Sequence, residues 1–245
     1  DVVDVSWLAT TSISSLIFAA SKFNCQQYQK ANGGPGSIAE QIAESRVDIV
    51  LGGGQSHFSM LAEGTNKEVI ALATASGFTT VTTLDQLQQT KAERVLGLFA
   101  PKHLPTRMQG DQGRLGEKPD ASLLNRVHWA LGEVTLPAAM DCVTNPEFDQ
   151  TPPLALMTRK AIDLLSAAGD AGFLLVIESA SIDKKSHARD ACGSIGELQQ
   201  LEEALAAHLL LPPAAAAMAG SARPGQRGHR RSRAPRPAQP SSSLR

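Results

Sequence analysis

Apolar and polar positions alternate in blocks along the middle of the chain, and the period of the blocks switches repeatedly between that of a helix and that of a strand. Ser37-Ile38-Ala39-Glu40 has capping-box spacing, in which the serine hydroxyl accepts from the N3 amide while Glu40 reaches back, so a helix is predicted from there to about Ser45. Asp48–Leu51 reads as a short buried strand ended by Gly52-Gly53-Gly54. A second helix near Glu68–Ala75 stops at Gly77, a residue that tolerates the left-handed turn closing a helix. Phe78–Thr82 is rich in β-branched residues and strand-like, Leu84–Gln89 is helical, and Val95–Phe99 is again a strand. Pro152-Pro153 opens the clearest helix, Leu154–Ala167, with Leu154, Met157, Ala161, Leu164 and Leu165 on one face. After Gly172 comes Phe173–Ile177, a continuous apolar run that suits a central strand of a parallel sheet. A last helix is predicted over Ile195–Leu211. Such alternation argues for an α/β fold, a sheet covered by helices on both faces.

Two stretches escape the pattern. Pro101 to about Thr151 is rich in Gly, Pro, Asp and Asn and reads as a long irregular excursion. Pro212–Arg245 is built from Ala, Pro, Arg, Ser and Gly without an acidic residue, so it is expected to be disordered. The change falls inside an apparent helix, which points to a frameshifted or otherwise aberrant end. The organisation expected is therefore a partial domain over residues 1–211 and a tail over 212–245.

Composition changes this picture in one respect. The formal charge of −1 hides an asymmetry: the 24 acidic residues all lie at or before Glu203, whereas seven of the 23 basic residues, all arginine, lie after it. The body up to Leu211 thus carries a charge of −8, which disfavours nucleic acid as a partner. The arginines between Arg223 and Arg236 lack interleaved aromatics, so a non-native tail is preferred to a nucleic-acid contact. No stretch reaches the roughly 20 apolar residues of a membrane span. There is no initiator Met and no charged-then-apolar leader, so position 1 is expected to be a processed end or a truncation. Three cysteines, Cys25, Cys142 and Cys192, fit no metal spacing and allow one disulfide plus a leftover thiol.

The chemistry concentrates in Phe173–His187. An apolar strand delivers Glu178 at its carboxyl end, where ligands bind in α/β sheets. Asp183 and His187 follow at i, i+4 spacing, which puts a carboxylate and an imidazole on one face of a helical turn. Carboxylate with imidazole suits zinc, and a hard carboxylate alone suits magnesium. On spacing alone, D-x-x-x-H is more often a solvated face than a metal site.

The wider string, Glu178-Ser179-Ala180-Ser181-Ile182-Asp183-Lys184 followed two residues on by His187, resembles the signature of the bacterial alkaline phosphatases. The resemblance continues through Cys192-Gly193-Ser194-Ile195-Gly196-Glu197. Upstream it takes in Gly36-Ser37-Ile38-Ala39-Glu40-Gln41, Leu51-Gly52-Gly53-Gly54, Leu96-Gly97-Leu98-Phe99-Ala100, Leu104-Pro105-Thr106-Arg107, Asn145-Pro146 and Met157–Leu165. It implies a central sheet flanked by helices on both faces, here only partial. It also implies a phosphate monoester substrate, two zinc ions and one magnesium ion, periplasmic or secreted location, and a homodimer for the intact protein. The implied reaction is metal-assisted phosphoryl transfer to a serine, then hydrolysis of the phosphoserine.

Carried over by position, Glu178 resembles the magnesium ligand, and Asp183 and His187 resemble two ligands of the first zinc. Lys184 matches a lysine held near the phosphate, the alternative being an ordinary surface lysine. Thr10 matches a magnesium-binding threonine, although Leu8 replaces the aspartate expected two residues before it. Ser179 stands where the family usually has glycine, so its hydroxymethyl group is expected to crowd the site. The resemblance implies a Cys142–Cys192 disulfide with Cys25 left over. The nucleophilic serine, the bridging aspartate, the Asp-His pair and the last zinc histidine find no match in this chain, and the phosphate-clamping arginine, whose position falls near Lys22-Phe23, is not present. A catalytically dead metal-binding remnant is therefore the rival reading. Gly52-Gly53-Gly54 lacks a following Gly-Lys-Ser/Thr and is read as a strand-end turn. His57, His103, His128, His208 and His229 have no partner at ligand spacing and read as surface residues.

Overall fold

The computed structural model describes the backbone of residues 4–12 together with residues 29–117, 122–131, 137–168, 172–179 and 181–209. Its main feature is a five-stranded parallel sheet in the order β3-β4-β2-β1-β7. The strands are β1 (Asp4–Ser12), β2 (Ile49–Gly53), β3 (Thr79–Val81), β4 (Val95–Leu98) and β7 (Phe173–Glu178). β5 (Met108–Gly110) and β6 (Cys142–Thr144) form a separate antiparallel pair within the stretch expected to be irregular. The expected tail, Pro212–Arg245, lies outside the described residues.

Both faces of the sheet are covered, as the alternation along β2 and β4 requires. Ile49, Leu51, Val95 and Phe99 point to one core with Leu154, Met157, Ala161 and Leu165 of α6 (Leu154–Ala167) and Ala204 of α8 (Ala191–Leu209). Val50, Leu96 and Leu98 point to the other, with Ala39 and Ala43 of α1 (Ile38–Ala43), Phe58 of α2 (Gln55–Phe58), and Val69 and Ala73 of α3 (Val69–Ala75). Helix α4 (Leu84–Gln89) adds Leu87 to the first core, and α5 (Leu123–Ala130) lies in the excursion. Among the described residues no helix is long and apolar enough to cross a membrane.

The capping box starts α1: Glu40 N donates to Ser37 Oγ at 3.3 Å and Ser37 N to Glu40 Oε2 at 2.8 Å. Glu40 is buried. Burial alone would raise its pKa, but hydrogen bonds at Ser37, the Glu63 amide and the Lys30 ammonium outweigh that and hold its carboxyl below the ordinary value. Arg94 stacks over Phe78 and donates to the Ser45, Val47 and Ser76 carbonyls, which gathers the ends of α1 and α3 on one guanidinium.

Three expectations need correction. Phe173–Ile177 is not central: β7 is the edge strand among the described residues and most of its side chains are only half-buried. A run of apolar residues signals burial but not which neighbours supply it. The last helix begins at Ala191 rather than Ile195, because Asp190 accepts from Gly193 N at 2.8 Å, caps the start, and pairs with Lys185 Nζ at 3.0 Å. Gly52 and Gly53 continue β2, and Gly54 alone makes the left-handed turn, at φ 97°.

Gly53 has a packing role of its own. A Cβ there would run into the Lys102 carbonyl and approach the Leu104 amide, at 3.3 Å. Gly53→Ala is therefore expected to cost about 1–3 kcal/mol, since the clash is with backbone that cannot rotate away. Urea unfolding checks this. An unchanged midpoint would mean that the loop after β4 yields freely.

Candidate functional site

The carboxyl ends of parallel strands lie at one edge of the sheet, and the loops leaving them form the candidate site. Glu178 is the last residue of β7 and is half-buried. Its Cα pairs with Ala9 in β1, so the backbone of Thr10 is the next position along the neighbouring strand. The β1–β2 register slips between Leu8 and Ser12, a stretch that includes Thr10, and such bulges commonly adjoin functional sites.

Helix α7 (Ser181–His187) then presents Asp183 and His187 on one face, as their spacing requires. Asp183 Oδ1 and His187 Nε2 are 3.5 Å apart, and both side chains are 81% exposed. A tetrahedral ion with bonds of about 2.1 Å holds adjacent ligand atoms about 3.4 Å apart, so the pair is set at the spacing of one zinc edge. The same geometry describes an exposed ion pair of little energetic weight. Among the described residues no three His, Cys, Asp or Glu side chains group as a metal site, so Glu178 does not join the pair. The residues present fit part of a metal centre.

Ser179 has a structural partner of its own. It is buried, and its hydroxyl donates to the Glu197 carbonyl of α8 at 3.0 Å. The extra group is engaged in fastening the strand end to a helix. Cys142 and Cys192 are joined in a disulfide, which ties β6 to the start of α8.

Lys184 also faces the loop after β4. Its Nζ meets the His103 ring, 3.4 Å from Nδ1 and closer to Nε2. His103, expected to be a surface residue without a partner, is thus exposed but partnered. Burial, followed by the positive charges of Lys184, His57 and Lys102, holds the His103 pKa below the ordinary 6.5. Burial and then Lys102 do the same for His57, which is half-buried. Sequence reasoning missed this grouping because Lys184 and His103 are 81 residues apart. The available signal was a Lys-His pair placed just past the carboxyl end of a predicted strand.

Comparison with known proteins agrees with this architecture. The alkaline phosphatase family matches residues 14–212. Alkaline phosphatase H of Pseudomonas aeruginosa is 38% identical over 194 residues, covering 76% of this chain and 37% of that protein. The alkaline phosphatase of Escherichia coli K12 is 37% identical over 195 residues, covering 76% of this chain and 38% of that protein. The chain therefore spans well under half the length of these relatives. The solved structure of the cold-active alkaline phosphatase from a psychrophilic Shewanella matches with a TM-score of 0.53 and 23% identity, covering 84% of this chain and 39% of that one, which supports the fold. With the signature string on the β7–α7 turn and a family match across most of its length, the chain belongs to the alkaline phosphatase family.

Proposed function

We propose that this chain carries one corner of a phosphomonoester hydrolase site: Glu178 as a magnesium ligand with Thr10, Asp183 and His187 as two ligands of the first zinc, and Lys184 as a phosphate contact. The observation that carries the reading is the separation of 3.5 Å between Asp183 Oδ1 and His187 Nε2 at the carboxyl edge of a parallel sheet. When bound, such ions supply Lewis-acid stabilisation of the charge that develops on a transferring phosphoryl group. The chain's own residues do the placing. Helix α7 holds carboxylate and imidazole on one face, and β7 fixes Glu178 beside the bulged strand. For the intact protein the reading includes a serine nucleophile outside this chain, a homodimer, and a periplasmic or secreted location. The Cys142–Cys192 disulfide favours such an oxidising compartment.

A second reading is a metal-binding remnant without turnover. It is favoured by the lack of any three-ligand group among the described residues. Zinc titration tests what the two readings share. A full structural zinc site is worth about 10–16 kcal/mol, so half the ligands should give a Kd of about 10⁻⁴–10⁻⁶ M. His187→Ala should weaken binding at least about tenfold, as read by calorimetry. Zinc binding that is indifferent to this substitution would sink the ligand assignment.

A further inference from the structure

Seven of the eleven large apolar side chains exposed among the described residues lie on two helices or directly at the end of one, so the exposure is gathered into faces rather than scattered. Helix α5, in the excursion, carries Leu123, Leu124 and Val127, the least exposed of them at 55%. Leu131 is exposed as well, and its amide donates to the Val127 carbonyl at 3.1 Å, which keeps it in the register of the helix. With 3.6 residues per turn these four positions span an arc of about 100°, the width of the stripe by which a helix ordinarily packs. Arg126 and His128 border that arc on its two sides, and no acidic residue lies between Asp120 and Glu133.

Helix α8 offers a matching face. Its buried side carries Cys192, Glu197, Gln200 and Ala204, and the Cys142–Cys192 bond pins its first turn, so the helix cannot roll to hide the opposite side. That opposite side holds Ile195, Leu198 and Leu205, all exposed, with the exposed Glu202 in the same row. Among the described residues neither Arg126 nor Glu202 is in an ion pair. Both stripes stand open to solvent, so within one molecule neither covers the other. They differ in the charge that goes with them, basic on α5 and acidic on α8. Pairing α5 with α5 would set like charges against each other, and so would pairing α8 with α8, whereas α5 against α8 joins apolar to apolar and basic to acidic.

We propose that α5 of one copy of this chain docks on the outer face of α8 of a second copy, stripe on stripe, with Arg126 on the side of Glu202. The contact is heterologous, since each copy contributes a different surface. The inference stands on the two faces alone and needs no metal. It goes beyond the homodimer of the reading above, to which no surface is assigned.

Sedimentation velocity of the 245-residue protein, with a chelator present, tests this over about 1–200 µM. The parent should associate with a Kd of about 10–100 µM, as suits a contact of small area. Leu123→Gln/Val127→Gln on α5 and Ile195→Gln/Leu198→Gln on α8, all exposed positions, should each weaken association at least about tenfold with an unchanged melting curve. Mixing these two variants should bring association back, because each keeps the face that the other lacks. Arg126→Glu should weaken association about threefold or more, and adding Glu202→Arg to the same chain should restore it. Met60→Gln/Leu61→Gln, an exposed apolar pair elsewhere, should change nothing. The proposal is overturned if the parent stays monomeric throughout, if the mixed variants stay apart, or if the exchanged charges fail to restore association. It is equally overturned if the Met60/Leu61 variant weakens association as much as the face variants do. Association that survives in either face variant overturns it too, but leaves the homodimer of the reading above standing.

Discussion

With zinc and magnesium supplied at alkaline pH, the 245-residue chain should hydrolyse p-nitrophenyl phosphate no faster than its His187→Ala variant. A catalytic zinc normally keeps three protein ligands, and among the described residues Asp183 and His187 form a pair without a third. Glu178 gives magnesium one carboxylate, and water must complete the shell. The resemblance that assigns these residues finds no matching serine nucleophile in this chain, so no phosphoenzyme is expected. Each of these gaps is worth orders of magnitude in rate, and they act on one transition state. Turnover that is fast in the parent and lost in His187→Ala would show that the chain completes its own site, and the remnant reading would then fail. Equal traces in both would leave the corner assignment to the zinc titration.

Breaking the Cys142–Cys192 bond should produce the largest change in stability. The bridge closes a loop of 50 residues. In the chain-entropy account that constraint is worth about 4 kcal/mol, because it is the unfolded chain that loses freedom. For a body of this size the melting temperature should fall by about 10 °C in Cys142→Ala/Cys192→Ala. The effect has a structural reason as well. Cys192 is fully buried at the start of α8, the helix that packs on α6, receives the Ser179 hydroxyl and supplies Ala204 to the core. Differential scanning calorimetry with and without reductant separates the two contributions. Reduced parent and double variant should melt together, and a shift under about 2 °C would mean that the excursion holds its place without the bond.

What the sequence disclosed was local. Leu154–Ala167 is found with the predicted bounds, because its apolar face and the preceding prolines are written in neighbouring residues. The Ser37–Glu40 box and the Gly77 turn are legible for the same reason. The Asp183–His187 face follows from helical spacing alone. The rest depended on contacts between distant segments. No spacing rule brings His103 to Lys184, and none says that the Ser179 hydroxyl turns onto Glu197. β1 was not predicted as a strand at all, although it lies between β2 and β7 and aligns Thr10 with the end of Glu178's strand. Its position is a property of the sheet, which no window of residues contains.

The strand order has a consequence for the order of assembly. β2, β4 and β3, with α1 and α3, lie within residues 38–98 and can pack while the chain is still being made. β1 can join them on one side, but its other neighbour begins at Phe173. At elongation rates of roughly 5–20 residues per second, β1 waits roughly ten to thirty seconds with an open hydrogen-bonding edge. An edge of that kind is a template for any extended segment nearby. The nascent chain is thus most exposed to mispairing before β7 arrives, and the hazard comes from topology rather than from weakness in any single element.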